Sequence, residues 1–246
     1  GATLIVGGRL PIDEDGRRLG EPDLLVATLG GYLPIEVKHH RTLRRPRQRP
    51  TAPEARTSSL DAPAYSDATV DPAAEGKPRK DDLLHLAHHR RVLEACGAAA
   101  EVNAGGIVGT EGVVTWFDLD EPLWRTPSVS EGTKVRSSME VYDFEFGFRL
   151  DIVETARRHR VDPSVELLVV PVRNGSCPTC PWWGHCGPLL ETTGDISLLP
   201  RHGWAQRKVH HDRGVHGLRG LASLDWPTAD LLEHDIDLAT LLRTHP

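Results

Sequence analysis

Residues 20–38 read GEPDLLVATLGGYLPIEVK, and the reading of this stretch decides the fold. Two short apolar runs lie within it, 24–29 after Pro22-Asp23 and 32–37 after Gly31. Both have the length and composition of strands. The second runs through Glu36-Val37 and is followed by Lys38. Side chains alternate faces along a strand, so Glu36 and Lys38 point the same way while Val37 packs behind. Asp23 opens the neighbouring strand and can meet them at the sheet edge. Such a trio suits phosphodiester hydrolysis, which needs charge neutralised on the phosphoryl oxygens and an activated water. Asp23 and Glu36 can hold Mg²⁺ or Mn²⁺ for both tasks, and Lys38 can orient the water or help deprotonate it. An E-x-K tripeptide alone also occurs as a solvated strand face. Pro-Asp before one strand with E-x-K ending the next is the more specific pairing.

Upstream, residues 2–10 predict a further strand, joined to 24–29 by a turn around 13–16. Downstream, 41–80 is rich in Pro, Ala, Ser and charge and poor in large apolar residues, which predicts a disordered insertion. In 81–95, DDLLHLAHHRRVLEA, Leu84, His88, Arg91 and Ala95 recur at helical spacing. Acids occupy the first turn and Gly97 is a stop. Runs 106–109 and 113–117 predict a hairpin turning at Glu111-Gly112. Residues 138–159 predict a long amphipathic helix ending before Pro163. This alternation of short apolar runs and helices is α/β. With 246 residues, 39% of them hydrophobic, the chain can bury a sizeable core as one large domain or a domain with an appendage. No apolar run approaches the ~20 residues that span a bilayer, and no charged, apolar, then small-residue leader opens the chain. The expectation is a cytoplasmic protein with no membrane partner. The chain begins with Gly1 rather than Met, as expected of a fragment or processed piece.

A net charge of −6 argues against a polyanionic partner, but 38–49 reads KHHRTLRRPRQR with no acid. Arg41, Arg44 and Arg45 are therefore candidate DNA-phosphate contacts, against the plain alternative of a solvated basic loop. Cys177, Cys180 and Cys186 lie close together in SCPTCPWWGHC. In a cytosolic chain such spacing favours a metal over disulfides. Cys-Pro and Trp182-Trp183 would shield sulfur ligands from water, which suits an iron–sulfur cluster. Zinc is the alternative, with His185 or Cys96 completing a tetrahedral set. Cys96, the remaining cysteine, is either a fourth ligand or a plain buried thiol at a helix end.

The pairing in 22–38, with clustered cysteines downstream, resembles the PD-(D/E)XK nucleases, and within them the RecB family, over about residues 1–225. The resemblance implies a restriction-endonuclease-like mixed sheet flanked by helices, with Asp23 and Glu36 as metal ligands and Lys38 as the catalytic lysine. It implies metal-dependent hydrolysis of DNA ends or single strands in repair, recombination or defence, with a helicase or recombination complex as partner. It further implies a [4Fe–4S] cluster on the three cysteines and a fourth from far upstream, pinning the C-terminus to the nuclease core. The family carries Q-x-x-x-Y on the helix after the E-x-K strand. His85 and His89 stand in those places here, and a histidine can still donate to a phosphate or stack on a base. A nuclease domain over 1–190, with the cysteine segment at 177–186, would be followed by a small helical element over 195–246. There, GVHGLRGLASL at 214–224 resembles half of a helix-hairpin-helix, whose Gly-Val turn offers backbone N–H groups to phosphates, with Pro200-Arg201-His202-Gly203 as the first turn. A catalytically silent DNA-binding module or a zinc-stabilised scaffold would use the same residues without hydrolysis.

Overall fold

The computed structural model describes residues 3–13, 15, 17–45, 54–128 and 132–224. The chain divides into two compact units between Asp151 and Ile152. Within the second unit the cysteine segment packs locally with the helix that follows it.

The N-terminal unit contains β1 (Leu4–Val6), β2 (Leu24–Thr28), β3 (Gly31–Val37), β4 (Leu43–Arg44), β5 (Glu54–Ser59), β6 (Thr69–Gly76), α1 (Lys80–Ala95), β7 (Ala104–Val108), β8 (Val113–Asp118), β9 (Trp124–Ser128) and β10 (Gly132–Arg136). The start of α2 (Ser138–Val161) also belongs to it. Eight strands form one sheet in the order β1-β2-β3-β7-β8-β5-β6-β4, while β9 and β10 make a separate hairpin. Every pairing in the large sheet is antiparallel except β3 with β7. Parallel neighbours need a crossover connection, and α1 lies within it, packed on both strands. The result is an α/β unit with a mixed, mostly antiparallel sheet flanked by helices.

Alternation along β3 sorts the core. Leu33 and Ile35 face Val26, Val114 and Trp116 on one side of the sheet. The other side takes α1, through Leu83, Leu86 and Ala87 against Ile107, Phe117, Met139 and Tyr142, and through Val92 and Leu93 against Leu10 and Leu25. Gly105 allows this close seat, since a Cβ there would lie 2.9 Å from Leu86 Cδ1. The stripe expected at Leu84, His88, Arg91 and Ala95 is therefore corrected. The buried residues of α1 are Leu83, Leu86, Ala87, His89, Arg90, Val92 and Leu93. Arg90 follows the core because its guanidinium donates to the carbonyls of Ala100 and Val102, which removes the cost of burying it unpaired.

The disordered insertion expected over 41–80 is also corrected for the described residues. β5 pairs with β8 and β6, and β4 pairs with β6. Composition misled here because a strand inserted beside a packed sheet needs few large side chains of its own. Ser58 accepts a hydrogen bond from Trp116 Nε1 at 2.9 Å, and Tyr65 stands edge-on to the Trp116 ring at 5.3 Å. Residues 46–53 lie outside the described part.

The C-terminal unit contains α3 (Trp183–Thr193), α4 (Trp204–Asp212) and α5 (Leu218–Ala222), with single 3₁₀ turns at Cys177–Thr179 and Ile196–Leu198. Gly194 ends α3 at φ +58°, and Leu218 N–H donates back to its carbonyl at 2.7 Å. Arg207 of α4 donates to Asp195 at 2.8 Å. The expected small helical element is present over 196–222, and 225–246 lies outside the described residues. Among the described residues, no helix is long and apolar enough to cross a membrane.

Candidate metal centre

Glu36 lies near the end of β3, on the face covered by α1, and is only 2% exposed. Residues four apart on a helix share a face, so His85 and His89 come down from α1 onto the same carboxylate. His85 Nδ1 lies 3.2 Å from Oε2 and His89 Nε2 lies 3.0 Å from Oε1. Lys38, two residues beyond Glu36 on the same face, brings Nζ to 3.0 Å from Oε2. One donor atom from each of Glu36, His85 and His89 lies within 4.8 Å of the others, the only such group among the described residues. Burial alone would raise the Glu36 pKa. Its contacts with His85, His89 and Lys38 more than offset this and hold the carboxyl well below the usual carboxylate range.

The buried edge of the group is unsatisfied. His89 Nε2 and Glu36 Oε1 stand 3.0 Å apart as an ion pair without a hydrogen bond between them. Neither ring nitrogen of His89 has a hydrogen-bond partner, and Glu36 Oε1 has none. Gly20 makes room for this imidazole, for a Cβ there would stand 3.0 Å from His89 Nδ1. Sequence reading named His85 and His89 as contacts to DNA; the structure brings both onto Glu36. The signal for this was available in the H-x-x-x-H spacing on a helix following an acidic strand.

Asp23 lies beside this group but outside it. The β2–β3 register, Leu24 opposite Ile35, sets Asp23 across from Glu36. Its Oδ2 accepts from Val37 N–H at 2.8 Å, so the carboxylate caps the strand end. Glu21 is exposed and paired with Arg9. Arg44 is paired with Glu75 at 3.0 Å, whereas Arg41 and Arg45 are exposed. Beyond Lys38, His40 Nε2 lies 2.8 Å from Asp82 Oδ2 in the first turn of α1, a tether that sequence reading missed.

The third histidine of the cluster serves the scaffold. His88 Nε2 can only donate to the Leu19 carbonyl, at 2.9 Å, so Nδ1 accepts from Tyr142 Oη, also at 2.9 Å. Tyr142 Oη in turn accepts from Arg18 Nε at 3.2 Å, and Arg18 is paired with Asp13. These roles suit a neutral imidazole, and burial, with His89, His85 and Arg18 nearby, lowers the His88 pKa from 6.5. The folded chain thus binds fewer protons here than the unfolded chain. The stability His88 contributes is complete above the unfolded pKa of 6.5 and is lost as pH falls through the lower folded value. Thermal midpoints recorded from neutral to mildly acidic pH should fall less steeply for His88→Gln than for the unaltered chain. Equal slopes would remove His88 from this role.

Cys177 lies on the 3₁₀ turn Cys177–Thr179, Cys180 follows it, and Cys186 is in α3. All four cysteines are free thiols. Asn174 N–H donates to Cys177 Sγ at 3.2 Å. Trp182 is 71% exposed, so the shielding expected of it is not seen. Cys96, in the N-terminal unit, is exposed rather than buried, and its thiol donates to the Leu93 carbonyl. In the helical tail, the Gly214-Val215 turn joins α4 to α5 with Gly214 at φ +80° and Val215 buried. Arg201 of the expected first turn also takes positive φ, at 63°.

No family model, no curated protein and no solved structure matches this chain.

Proposed function

We propose that this chain is a metal-dependent DNA nuclease of the RecB-like PD-(D/E)XK kind, acting on ends or single strands. The observation that carries the reading is the convergence of Lys38 and two histidines on one buried carboxylate, Glu36, with Asp23 in register beside it. A divalent ion held there supplies charge neutralisation at the scissile phosphate and lowers the pKa of a bound water. Glu36 is the anchor: buried and ionised, it offers charge in a low-dielectric setting where attraction is strong. Lys38 holds its ammonium on the same oxygen and can turn from it to orient the attacking water or the phosphate. Asp23 fixes the end of β3 through Val37 N–H and places a second carboxylate at the rim. The exposed Arg41 and Arg45 supply backbone-phosphate contacts along the chain leaving the site.

In this reading Cys177, Cys180 and Cys186 hold an iron–sulfur cluster, a role that fits the backbone N–H already aimed at Cys177 Sγ. One purified sample tests both parts. Prepared without air, it should be brown and should shorten end-labelled single-stranded DNA when given Mn²⁺, with cleavage stopped by a chelator. Intact DNA under both Mn²⁺ and Mg²⁺ overturns the nuclease reading, and a colourless, zinc-retaining protein overturns the cluster.

A further inference from the structure

We infer that Glu36, His85 and His89 form a two-imidazole, one-carboxylate site for a divalent first-row transition ion, and that this site discriminates against Mg²⁺. The inference deepens the nuclease reading, resting on it for what the ion does there but not for whether the ion binds.

Three observations carry it. The first is spacing: the imidazole nitrogens stand 3.0 and 3.2 Å from the two Glu36 oxygens. An ion about 2.0–2.2 Å from each nitrogen and oxygen donor imposes edges of roughly that length. The second is the state of the buried donors. Glu36 Oε1 and both nitrogens of His89 are buried with no hydrogen-bond partner, although such groups are ordinarily satisfied. His89 is 2% exposed, so bulk solvent does not reach these atoms. An ion bound by Nε2 and Oε1 would satisfy two of these three atoms at once. The third is access. His85 is half exposed, so the group opens to solvent on one side and retains positions for water or a phosphate oxygen.

The chemistry of the set decides the ion. Mg²⁺ prefers carboxylate, carbonyl and water oxygens, keeps several waters and is rarely taken by imidazoles. Mn²⁺, Fe²⁺, Co²⁺ and Zn²⁺ accept them increasingly well. A site in which two of three protein donors are imidazole is therefore poorly suited to Mg²⁺. The supply of those imidazoles follows from the fold: α1 lies in the connection between the parallel strands β3 and β7, packs on both, and sets its His85–His89 face on β3. Gly20 leaves the space that the inner ring fills.

The test is binding of Mn²⁺, read from the paramagnetic resonance signal of the free ion, with the full chain and Mg²⁺ as competitor. Mn²⁺ is chosen because thiolates hold it weakly, which keeps the cysteines out of the measurement. The expected result is one tight Mn²⁺ that excess Mg²⁺ does not displace. His85→Ala should weaken it by at least about tenfold, the lower end of what losing even a supporting residue costs at such centres. His85 is half exposed, so this variant is expected to fold with an unchanged thermal midpoint. His89→Gln, which retains a polar group in the buried position, should weaken Mn²⁺ similarly. Wild-type Mn²⁺ affinity in His85→Ala, or displacement by Mg²⁺ at equal concentration, overturns the proposal. Lys38→Met separates the two readings, since it removes no ligand and should bind Mn²⁺ as well as the unaltered chain. A chain that binds Mn²⁺ through His85 but leaves DNA intact upholds this site and removes the nuclease.

Discussion

Lys38→Met is expected to slow cleavage of single-stranded DNA by about 10²–10⁴-fold, the range supplied by a positioned group that handles a proton in the transition state. The reasoning starts from the strand. Lys38 follows β3 directly, its N–H continues the parallel ladder to Val108 at 2.9 Å, and its side chain shares the face of Glu36. The ammonium is held at 3.0 Å from the carboxylate, within reach of anything bound to it. Methionine keeps most of the length and the apolar stem and removes the ammonium, with its hydrogen bond to Glu36. The loss should therefore fall on the rate with Mn²⁺ uptake retained, while the thermal midpoint drops somewhat because the buried Glu36 carboxylate loses a charged partner. Single-turnover cleavage by Lys38→Met at the rate of the unaltered chain would take the lysine out of the chemistry.

Gly31→Ala should produce the largest loss of stability of any glycine-to-alanine change among the described residues of the N-terminal unit. Gly31 opens β3, and a Cβ there would sit 2.4 Å from the Ala98 carbonyl oxygen and 2.6 Å from the Ala99 carbonyl. These neighbours are backbone, so no rotamer change relieves the clash. The segment they belong to is fixed on both sides, by Tyr32 N–H to Ala98 O at 2.8 Å and Ala100 N–H to Tyr32 O at 3.2 Å. It also carries α1 into β7, so the close approach at Gly31 helps set the helix above Glu36. Overpacking of this kind costs about 1–3 kcal/mol, and the upper part of that range applies where the obstacle is main chain. For a unit of this size the midpoint should drop by roughly 2–4 °C per kcal/mol. A thermal midpoint equal to that of the parent chain would show that 98–101 yields more readily than its hydrogen bonds indicate.

Much of this arrangement was legible in the sequence where periodicity and punctuation agree. The strands at 24–28 and 31–37, the hairpin at 104–118 and the helix of 138–161 follow from apolar runs bounded by Gly, Pro and Asp. β5 and β6 were not legible, because EARTSS has no apolar face and TVDPAAEG offers one large aliphatic, Val70, next to Asp71-Pro72. β5 is ordered by pairing with β8 and by the packing of Trp116, and β6 by pairing with β5 in turn, information that belongs to another part of the chain. The buried face of α1 was misjudged for a related reason. Arg90 and His89 read as surface residues, yet carbonyls at 100 and 102 and the carboxylate of Glu36 receive them.

The candidate site divides in the same way. Glu36 and Lys38 were legible from strand alternation alone, and the register across to Asp23 agrees with the spacing that suggested it. What the sequence left open was the direction in which His85 and His89 face. Helical spacing says only that they share a face. The parallel β3–β7 pair, and the crossover it requires, turns that face onto the E-x-K strand. Asp23 illustrates the converse: a motif position whose carboxylate is taken up in capping Val37.

Glu36→Gln, compared with the unaltered chain for Mn²⁺ uptake and single-stranded DNA cleavage in the same preparation, tests the central claim most directly. The substitution keeps the shape and one acceptor oxygen and removes the charge on which Lys38, His85 and His89 converge. The account predicts that uptake and cleavage disappear together while the fold persists. A Glu36→Gln chain that still cleaves DNA at the parental rate would contradict it.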